Sequence, residues 1–510
     1  MARRHPSTGA QRVRLVSRMI AERGAYGLVS ALSREAAVSR QTVYAWAEQG
    51  RRALDAAFTP VAPASTLPAA LSRRVLTLLV ETHPAARGIQ AALRALTGQR
   101  VSLGTISAII REAAQRAVQI RATLAPPTAR PIALDEIYGN DRRGAYLHVV
   151  DTLSHAVWAA EGPLAVDADS WTLVLWEAQD RGLRWRATST DGGSAMDAAL
   201  GVVDPGGPHG RDVWHVLHLC AQVQGRLDRR VVQLTQQTAT VERQAARLAA
   251  GRRPRGTRPR TDVAAHAAAV AQATAVATGV QYLSRVLHDL LEVVVVAADG
   301  RLLDGAARRR EMDALLALLA EVAATASTGQ REQAQRLHRH ILAARSGLLA
   351  FVPALDAVQQ DAARAIGDEG VGRLAWAWLR RAILGDADDL LAQLPAHWHH
   401  TARRPLTAWA GALRASSAVE NWHSILRPHL AVHRTLSPGL LALLMVWHNH
   451  RVFTRGVRAG FSPLQLSGVT DAPTDWLVAL GYPPTPDPGR AYRGVRPTTT
   501  PPAAAWPLAA

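Results

Sequence analysis

Three acidic residues of this chain lie where ligands of a divalent metal are expected: Asp135, Asp191 and Glu420. Asp135 ends an apolar run that starts at Pro131, and Asp191 ends a run that starts at Trp185 and precedes two glycines. Glu420 opens a segment with helical periodicity. Two carboxylates at strand ends and a third on a helix can converge on a pair of Mg²⁺ ions. Such a site positions water or a 3′-hydroxyl for in-line attack on phosphate.

The pairing of Asp135 with Asp191 matters more than either residue alone, because a single Asp at a strand end commonly caps the next turn. We expect the two preceding strands to lie side by side, so that the carboxylates meet. Adjacent carboxylates repel each other unless a cation neutralises them, and the pair therefore predicts a metal. Glu136 is the alternative to Asp135, although side-chain alternation directs it to the opposite face of the strand.

A basic residue and a rare amide accompany Glu420. Arg427 follows seven residues later, so on a helix both side chains lie on nearly the same face. The carboxylate can then hold a metal while the guanidinium contacts a DNA phosphate. The alternative is a solvated acid–base pair on an amphipathic helix. Asn occurs at only three positions, Asn140, Asn421 and Asn449, and two of them lie in this C-terminal region, which favours a specific use of their amides.

The composition indicates a multidomain protein with a polyanionic partner. The chain has 510 residues, 48% of them hydrophobic, which is too long for one core and predicts three or four domains. A net charge of +18 favours nucleic acid or an anionic surface as partner. All 59 basic residues are Arg, for which a GC-rich genome is sufficient explanation. A single cysteine, no signal-like apolar segment and short apolar runs predict a soluble, cytoplasmic protein.

The N-terminal region is expected to contain two helical units, residues 11–57 and 70–122. The first has a helix-turn-helix pattern in which Ser39 caps the second helix and Val43 and Trp46 face inward. The second repeats this plan. The alternative is an ordinary helical hairpin. The residues that the first unit leaves available to DNA are Arg40, Gln41, Thr42 and Tyr44.

Strand-like segments begin near residue 130 and make residues 130–220 the first part of an α/β domain. Asp169 is expected to cap the helix that follows the third strand. The order β-β-β-α-β-α-β is that of a ribonuclease-H-like domain, whose first and fourth strands each carry a metal-binding carboxylate. Strands are predicted at 131–137, 144–151, 155–159, 183–190 and 211–217, and helices at 170–179 and 194–203.

The remainder of the chain has helical periodicity. Residues 221–410 predict an all-helical insertion, within which a loop at 251–260 holds five arginines that either contact phosphate or are simply solvated. Residues 411–468 are expected to complete the catalytic core. The Pro-rich tail, 471–510, is expected to be disordered. The histidines at 397–400 lack a nearby cysteine, which argues against a zinc site.

Several of these segments together resemble a bacterial insertion-sequence transposase of the DDE class. The resemblance implies a multidomain chain with tandem all-α helix-turn-helix units and an α/β ribonuclease-H-like core interrupted by an all-α insertion. The matching segments are the strand of Asp135, Thr190 to Gly193, Glu420 and Asn421 with Arg427, Asn449 to Phe453, and Ser462 to Leu466.

The same resemblance implies chemistry and partners. Asp135, Asp191 and Glu420 would be the catalytic residues and would bind two Mg²⁺ ions, or Mn²⁺ in their place. The partners would be double-stranded DNA, as transposon ends and target, and further copies of the chain in a homodimer or higher oligomer. The segment Asp212 to His215 resembles a short transposase signature and would place His215 near the active site, in contact with DNA; the alternative is a packed strand histidine.

Two other functions remain open at the level of sequence. A domesticated, catalytically inactive transposase would be a DNA-binding regulator, and the intact acidic trio argues against it. A ribonuclease-H-like nuclease would keep the metals, and the paired helical units argue against it. Residues Asn421 and Arg427 are expected to contact DNA in the transposase.

Overall fold

The computed structural model divides into two compact units, which comprise residues 1–208 with 416–510 and residues 209–415. The residues that the structure describes are 8–58, 67–139, 144–297, 299–412, 417–456 and 458–484.

The first unit begins with helices that precede the sheet. Ala37 has a left-handed backbone (φ 54°) that ends α2, and the Ser39 hydroxyl accepts the N–H of Thr42 at 3.0 Å at the start of α3, as the sequence predicts. Val43 is buried and Trp46 is partly buried. The described helices are α1 (Gly9–Ala21), α2 (Leu28–Ala36), α3 (Arg40–Phe58), α4 (Ala69–Thr82), α5 (Ala86–Thr97) and α6 (Leu103–Thr123).

A mixed sheet follows, with strand order β3-β2-β1-β4-β5 in the described chain. β1 pairs antiparallel with β2 and parallel with β4, and β2 pairs antiparallel with β3. The predicted strands are confirmed except the last. The observed strands are β1 (Arg130–Tyr138), β2 (Ala145–Asp151), β3 (Val157–Leu164), β4 (Trp185–Thr190) and β5 (His209–Arg211).

The strand predicted at 211–217 is wrong. Only the short β5 precedes the long helix α9 (Val213–Ala249), which Asp212 caps by accepting the N–H of Trp214 at 2.7 Å. Val213, Val216 and Cys220 are buried at the spacing of a helix. Val213, His215 and Leu217 alternate as in a strand, but this shorter pattern does not determine the structure.

Helices cover both faces of the sheet. On one face, Leu134 and Val149 pack with α7 (Ala168–Asp180) and α8 (Ser194–Val203). On the other, Ala133 and Val150 pack with α6 and with two C-terminal helices, α17 (Ser417–Val432) and α18 (Pro438–His450). The prediction that Asp169 caps α7 is wrong, because Asp167 accepts the capping N–H of Ser170 at 2.7 Å.

Part of the predicted disordered tail is ordered. The first unit continues through α19 (Pro463–Leu466) and α20 (Trp476–Ala479). Trp476, Leu477 and Tyr482 are buried in the same core as α6 and α18, because their apolar surface completes it. The disorder expected from residue 471 is therefore wrong up to residue 484, and 485–510 lie outside the described residues.

The second unit is helical apart from β5 and a short bridge, within the described residues. The buried Arg308 guanidinium donates to the main-chain carbonyls of Leu290 and Val293, which ties the end of α10 to α11. By length and composition α10 could cross a membrane, but core helices meet the same criteria. The helices after α9 are α10 (Val263–Leu290), α11 (Gly305–Thr325), α12 (Thr328–Leu348), α13 (Val352–Leu379), α14 (Arg381–Leu384), α15 (Ala387–Leu391) and α16 (His399–Ala410).

Candidate metal centre

Asp135 and Asp191 lie just beyond the paired part of two neighbouring parallel strands, β1 and β4, although β1 itself continues to Tyr138. The last paired residues of β1 and β4 are Ala133 and Ser189, and each aspartate lies two positions further along its chain. Asp135 is only 7% exposed, and its Oδ1 accepts the N–H of Glu136 at 2.8 Å. Asp191 lies just beyond β4 and is half-buried. The strand order therefore places the two carboxyl groups at the same edge of the sheet.

The glycines after Asp191 hold its carboxylate in place. Gly192 has φ 96°, a left-handed conformation that favours glycine, and the N–H of Gly193 donates to Asp191 Oδ1 at 2.9 Å. A Cβ on Gly193 would lie 2.9 Å from Met196 Cε, the end of a flexible side chain that can move aside, so space alone does not require glycine there. The turn thus fixes the orientation of the Asp191 carboxylate through a main-chain hydrogen bond.

Helix α17 brings Glu420 to Asp135 across the sheet face. One oxygen each of Asp135 and Glu420 and one nitrogen of His423 lie within 4.8 Å of one another. His423 Nδ1 is 3.9 Å from Asp135 Oδ2 and 3.9 Å from Glu420 Oε1. The structure therefore brings together two of the three carboxylates named from sequence and adds a histidine. Asp191 is not part of this closest group, and it acts on Asp135 through its charge.

The electrostatics show an excess of negative charge. Burial raises the pKa of Asp135 to about 8, and the charge of Asp191 adds to this effect, as those of Glu136 and Glu420 do, while the N–H of Glu136 opposes it. Burial and the charge of Asp191 likewise raise the pKa of Glu136 to about 7. Glu136 Oε2 is buried without a hydrogen-bond partner among the described residues.

These carboxylates fit a divalent cation. Hard oxygen ligands suit Mg²⁺ and Mn²⁺, and a bound cation would relieve the repulsion that keeps the carboxyl protons in place. The donor set, in which an oxygen each of Asp135 and Glu420 and a nitrogen of His423 lie within 4.8 Å of one another, is the observation that supports this fit. Asp135, Glu420 and His423 are the residues that could hold one ion, with Asp191 beside them.

A second histidine supports the first. His148 on β2 is the cross-strand partner of Asp135 and is fully buried. Its Nδ1 lies 3.0 Å from His423 Nε2. Burial lowers the pKa of His148 well below its ordinary value and lowers that of His423 to about 4, so both rings are neutral near pH 7. Sequence reasoning assigned no role to either histidine, although the spacing of three between Glu420 and His423 places them on one helix face.

The other predicted residues of α17 lie at the surface beside this group. Arg427 donates to Glu420 Oε2 at 2.9 Å, and its side chain is 55% exposed. Asn421 is exposed. Asn449 is not at the site: its amide accepts the N–H of Val157 at 2.8 Å and donates to the Val157 carbonyl at 2.9 Å. One of the two C-terminal asparagines is therefore structural.

The residues of α3 that are expected to face DNA differ in their exposure and in their contacts. Gln41 is exposed, Thr42 is half-buried against the Ser39 hydroxyl, and Arg40 Nε lies 3.6 Å from Asp169 Oδ1.

The expectation that Tyr44 is available to DNA is wrong for this conformation. Its side chain is 6% exposed, its ring lies 5.1 Å from that of Trp176, and its hydroxyl donates to Asp180 Oδ2 at 2.9 Å. The reason is that α3 packs against α7 as well as against α1 and α2.

His215 lies on a helix and not on a strand. It occupies the first turn of α9 in the second unit, where its Nε2 is 3.6 Å from Asp212 Oδ2. The expected strand context of His215 is therefore wrong, and its contact with DNA stays a prediction.

No protein-family model matches the chain, and no curated protein matches it.

Proposed function

We propose that this chain is a DNA transposase of the DDE class, a metal-dependent polynucleotidyl transferase in which Asp135, Asp191 and Glu420 are the catalytic carboxylates. One observation carries the proposal: an oxygen of Asp135 lies within 4.8 Å of one of Glu420 on α17, and Asp135 and Asp191 each lie two positions beyond the last paired residues of β1 and β4. The strand order β3-β2-β1-β4-β5, with β2 and β3 antiparallel, supports a ribonuclease-H-like fold for the catalytic core.

The chain's own groups have separable tasks in this proposal. Mg²⁺ or Mn²⁺ bound by the three carboxylates supplies Lewis acidity and a nucleophile at neutral pH. The N–H of Gly193 fixes the orientation of Asp191. Arg427, exposed beside Glu420, contacts a phosphate of the DNA, and Asn421 contacts the DNA next to it.

The remaining parts bind and position DNA. The helices α1–α3 and α4–α6 are proposed as tandem helix-turn-helix units that recognise the transposon ends, with half-buried Arg40 and exposed Gln41 as contacts at the start of α3. A net charge of +18 supports salt-dependent binding to the DNA backbone. Two ends must be joined, so the active form is proposed to be at least a homodimer, acting on cytoplasmic DNA.

The test uses the purified full chain and a plasmid that carries the inverted repeats expected beside the gene. With Mg²⁺ or Mn²⁺, the wild type should nick at the repeat ends and join the freed 3′ ends to target DNA. Asp135→Asn, Asp191→Asn and Glu420→Gln should lose nicking by at least about a hundredfold and retain end binding. Glu332→Gln, an exposed carboxylate on α12, is the matched control.

Each alternative has its own outcome. End binding without any metal-dependent cleavage by the wild type would overturn the proposal in favour of a DNA-binding regulator. Cleavage that ignores the repeat ends and yields no joined product would favour a nuclease. Full activity of Asp191→Asn would overturn the assignment of the metal ligands.

A further inference from the structure

His423 stands at a distance from two carboxylates that suits a shared ion better than a hydrogen bond. Its Nδ1 is 3.9 Å from Asp135 Oδ2 and 3.9 Å from Glu420 Oε1. A hydrogen bond needs about 3.2 Å or less, so neither contact is one. Two ligands that each lie about 2.0–2.2 Å from one ion are at most about 4.4 Å apart. Both separations satisfy that limit.

The ring of His423 is held with a specific nitrogen toward the carboxylates. Its Nε2 lies 3.0 Å from Nδ1 of His148. If His423 Nε2–H donates to His148, the lone pair of His423 Nδ1 faces Asp135 and Glu420. The reverse arrangement directs an Nδ1–H at two oxygens that are too distant to accept it. Ligating histidines usually donate their other ring N–H in this way, which fixes the tautomer.

His148 is placed to keep that orientation. It is fully buried, and it is the register partner of Asp135 on the adjacent strand. Trp422 packs its ring edge-on to His148 at 6.0 Å, so the pair is enclosed by α17 itself. The arrangement leaves His148 Nε2 without a hydrogen-bond partner among the described residues. A metal bond at His423 Nδ1 would offset that cost.

The donor set then differs from the all-oxygen one expected for Mg²⁺. Mg²⁺ is usually bound by carboxylates and water, whereas an imidazole nitrogen suits first-row transition metals. We propose, building on the function above, that His423 is a nitrogen ligand, through Nδ1, of the ion held by Asp135 and Glu420. His148 is the positioning residue that orients it, and the site therefore prefers Mn²⁺ to Mg²⁺.

The test reads the ligand directly and not through activity. Mn²⁺ is added to the full chain without DNA, and electron spin-echo envelope modulation detects ¹⁴N coupled to the bound ion. The wild type should show imidazole ¹⁴N coupling, and His423→Gln should lose it. His433→Gln, a partly buried histidine just beyond the end of α17, is the matched control and should keep it.

Affinity gives a second readout. His423→Gln should weaken Mn²⁺ binding by about ten- to a hundredfold and Mg²⁺ binding, measured by competition, by less than about threefold, which removes the preference. His148→Gln should weaken Mn²⁺ binding by about tenfold while the ¹⁴N coupling persists, because the ligand remains but is less well oriented. If His423→Gln fails to fold by circular dichroism, His423→Asn replaces it.

The outcomes separate this proposal from the function on which it rests. Wild-type Mn²⁺ binding that Glu420→Gln abolishes, but with no ¹⁴N coupling, overturns the role of His423 and leaves the carboxylate site standing. Mn²⁺ binding that is equal in the wild type, Asp135→Asn and Glu420→Gln overturns both. A ¹⁴N signal that persists in His423→Gln also overturns the ligand assignment.

Discussion

Asp135 and Asp191 are held at one edge of the sheet by strand pairing, since each lies two residues beyond the paired positions of β1 and β4. Neither can withdraw without disturbing the parallel pair. Their proximity therefore costs stability whenever both are ionised and no cation is present. Burial and the charge of Asp191 accordingly raise the pKa of Asp135 to about 8. This built-in repulsion is measurable in the absence of any substrate.

The first prediction concerns pH and metal removal. Asp135 has a pKa of about 8 in the folded protein and about 4 in the unfolded chain. Between these values the folded state binds more protons, so the free energy of unfolding falls as pH rises. From pH 7 to 8.5 in EDTA we expect a fall of up to about 1.4 kcal/mol per pH unit. Urea midpoints measure it, and saturating Mg²⁺ or Mn²⁺ should remove it.

Buried histidines act in the opposite direction, so the contribution of Asp135 is the difference between the wild type and Asp135→Asn. Burial lowers the pKa of His155, His423 and His429 to about 4 and that of His448 to about 3, so these groups contribute stability that appears as pH rises through their unfolded pKa of about 6.5. Glu136, with a pKa of about 7, acts in the same direction as Asp135 but mostly below pH 7. Asp135→Asn is the control, and an equal decline in that variant would contradict the prediction.

The second prediction concerns Arg427, which donates to Glu420 at 2.9 Å with 55% of its side chain exposed. Such an exposed pair contributes less than about 1 kcal/mol to stability, so Arg427→Ala should unfold like the wild type. It should lower DNA nicking by about tenfold or more and reduce the salt dependence of DNA binding by about one counterion. Arg427→Lys should restore charge but not the planar contact, and activity only in part.

A matched arginine tests whether this effect is specific. Arg310 is exposed on α11, and Arg310→Ala removes the same charge from the chain. We expect it to leave nicking within about twofold of the wild type, because Arg310 belongs to the second unit and all three carboxylates belong to the first. Equal losses in both variants, measured by filter binding and plasmid nicking, would show that only net charge matters.

Local patterns in the sequence predict much of the fold. Apolar runs locate β1 and β2, and the positions of Asp135 and Asp191 directly after such runs locate one side of the site. Strand order could only be inferred from the element order. The helix after β5 was missed because Val213, His215 and Leu217 alternate as in a strand, while the longer period through Val216 decides the outcome.

The unforeseen parts depend on tertiary packing. His423 is one of 19 histidines, and only the approach of α17 to β1 distinguishes it. The same holds for His148, whose role needs both the sheet register and the helix. Tyr44 follows the inward-facing Val43 on α3 and is also buried, because a second surface, that of α7, covers it. A sequence pattern reports one buried face of a helix and not which element covers the other.

The third prediction concerns the contact between the first three helices and α7. The buried Asp169 carboxylate accepts the Ser30 N–H at 2.7 Å and the Ser30 hydroxyl at 2.8 Å. Asp169→Ala leaves both donors without their acceptor, at a cost of about 1–3 kcal/mol. Hydrogen exchange over 9–58 should therefore accelerate.

Two further variants are compared with Asp169→Ala, one expected to have a smaller effect on hydrogen exchange and one expected to have none. Tyr44→Phe, which removes the bond to Asp180, should give a smaller effect of about 1 kcal/mol. Glu35→Gln changes only an exposed ion pair with Arg18 and should leave exchange unchanged. Unaltered exchange in Asp169→Ala would show that these hydrogen bonds do not hold the helices in solution.

The last prediction contrasts two asparagines, Asn449 and Asn421. Asn449 is fully buried and pairs with both main-chain groups of Val157 on β3, the edge strand, at 2.8 and 2.9 Å. Asn449→Asp preserves the shape but replaces the donor with a charge that faces a carbonyl, so we expect a loss of about 3 kcal/mol or more in the free energy of unfolding. Asn421→Asp, at an exposed position, should change it by less than about 0.5 kcal/mol.

Activity should respond in the opposite order. At a temperature where both variants are folded, Asn449→Asp should nick DNA at a rate close to that of the wild type, since its amide reaches the sheet edge and not the carboxylates. Asn421→Asp adds a negative charge next to Glu420, where DNA phosphate is proposed to lie, and should weaken DNA binding by about tenfold. Denaturant midpoints and nicking rates, measured on both variants, would refute this division of roles if the same variant were the more impaired in both.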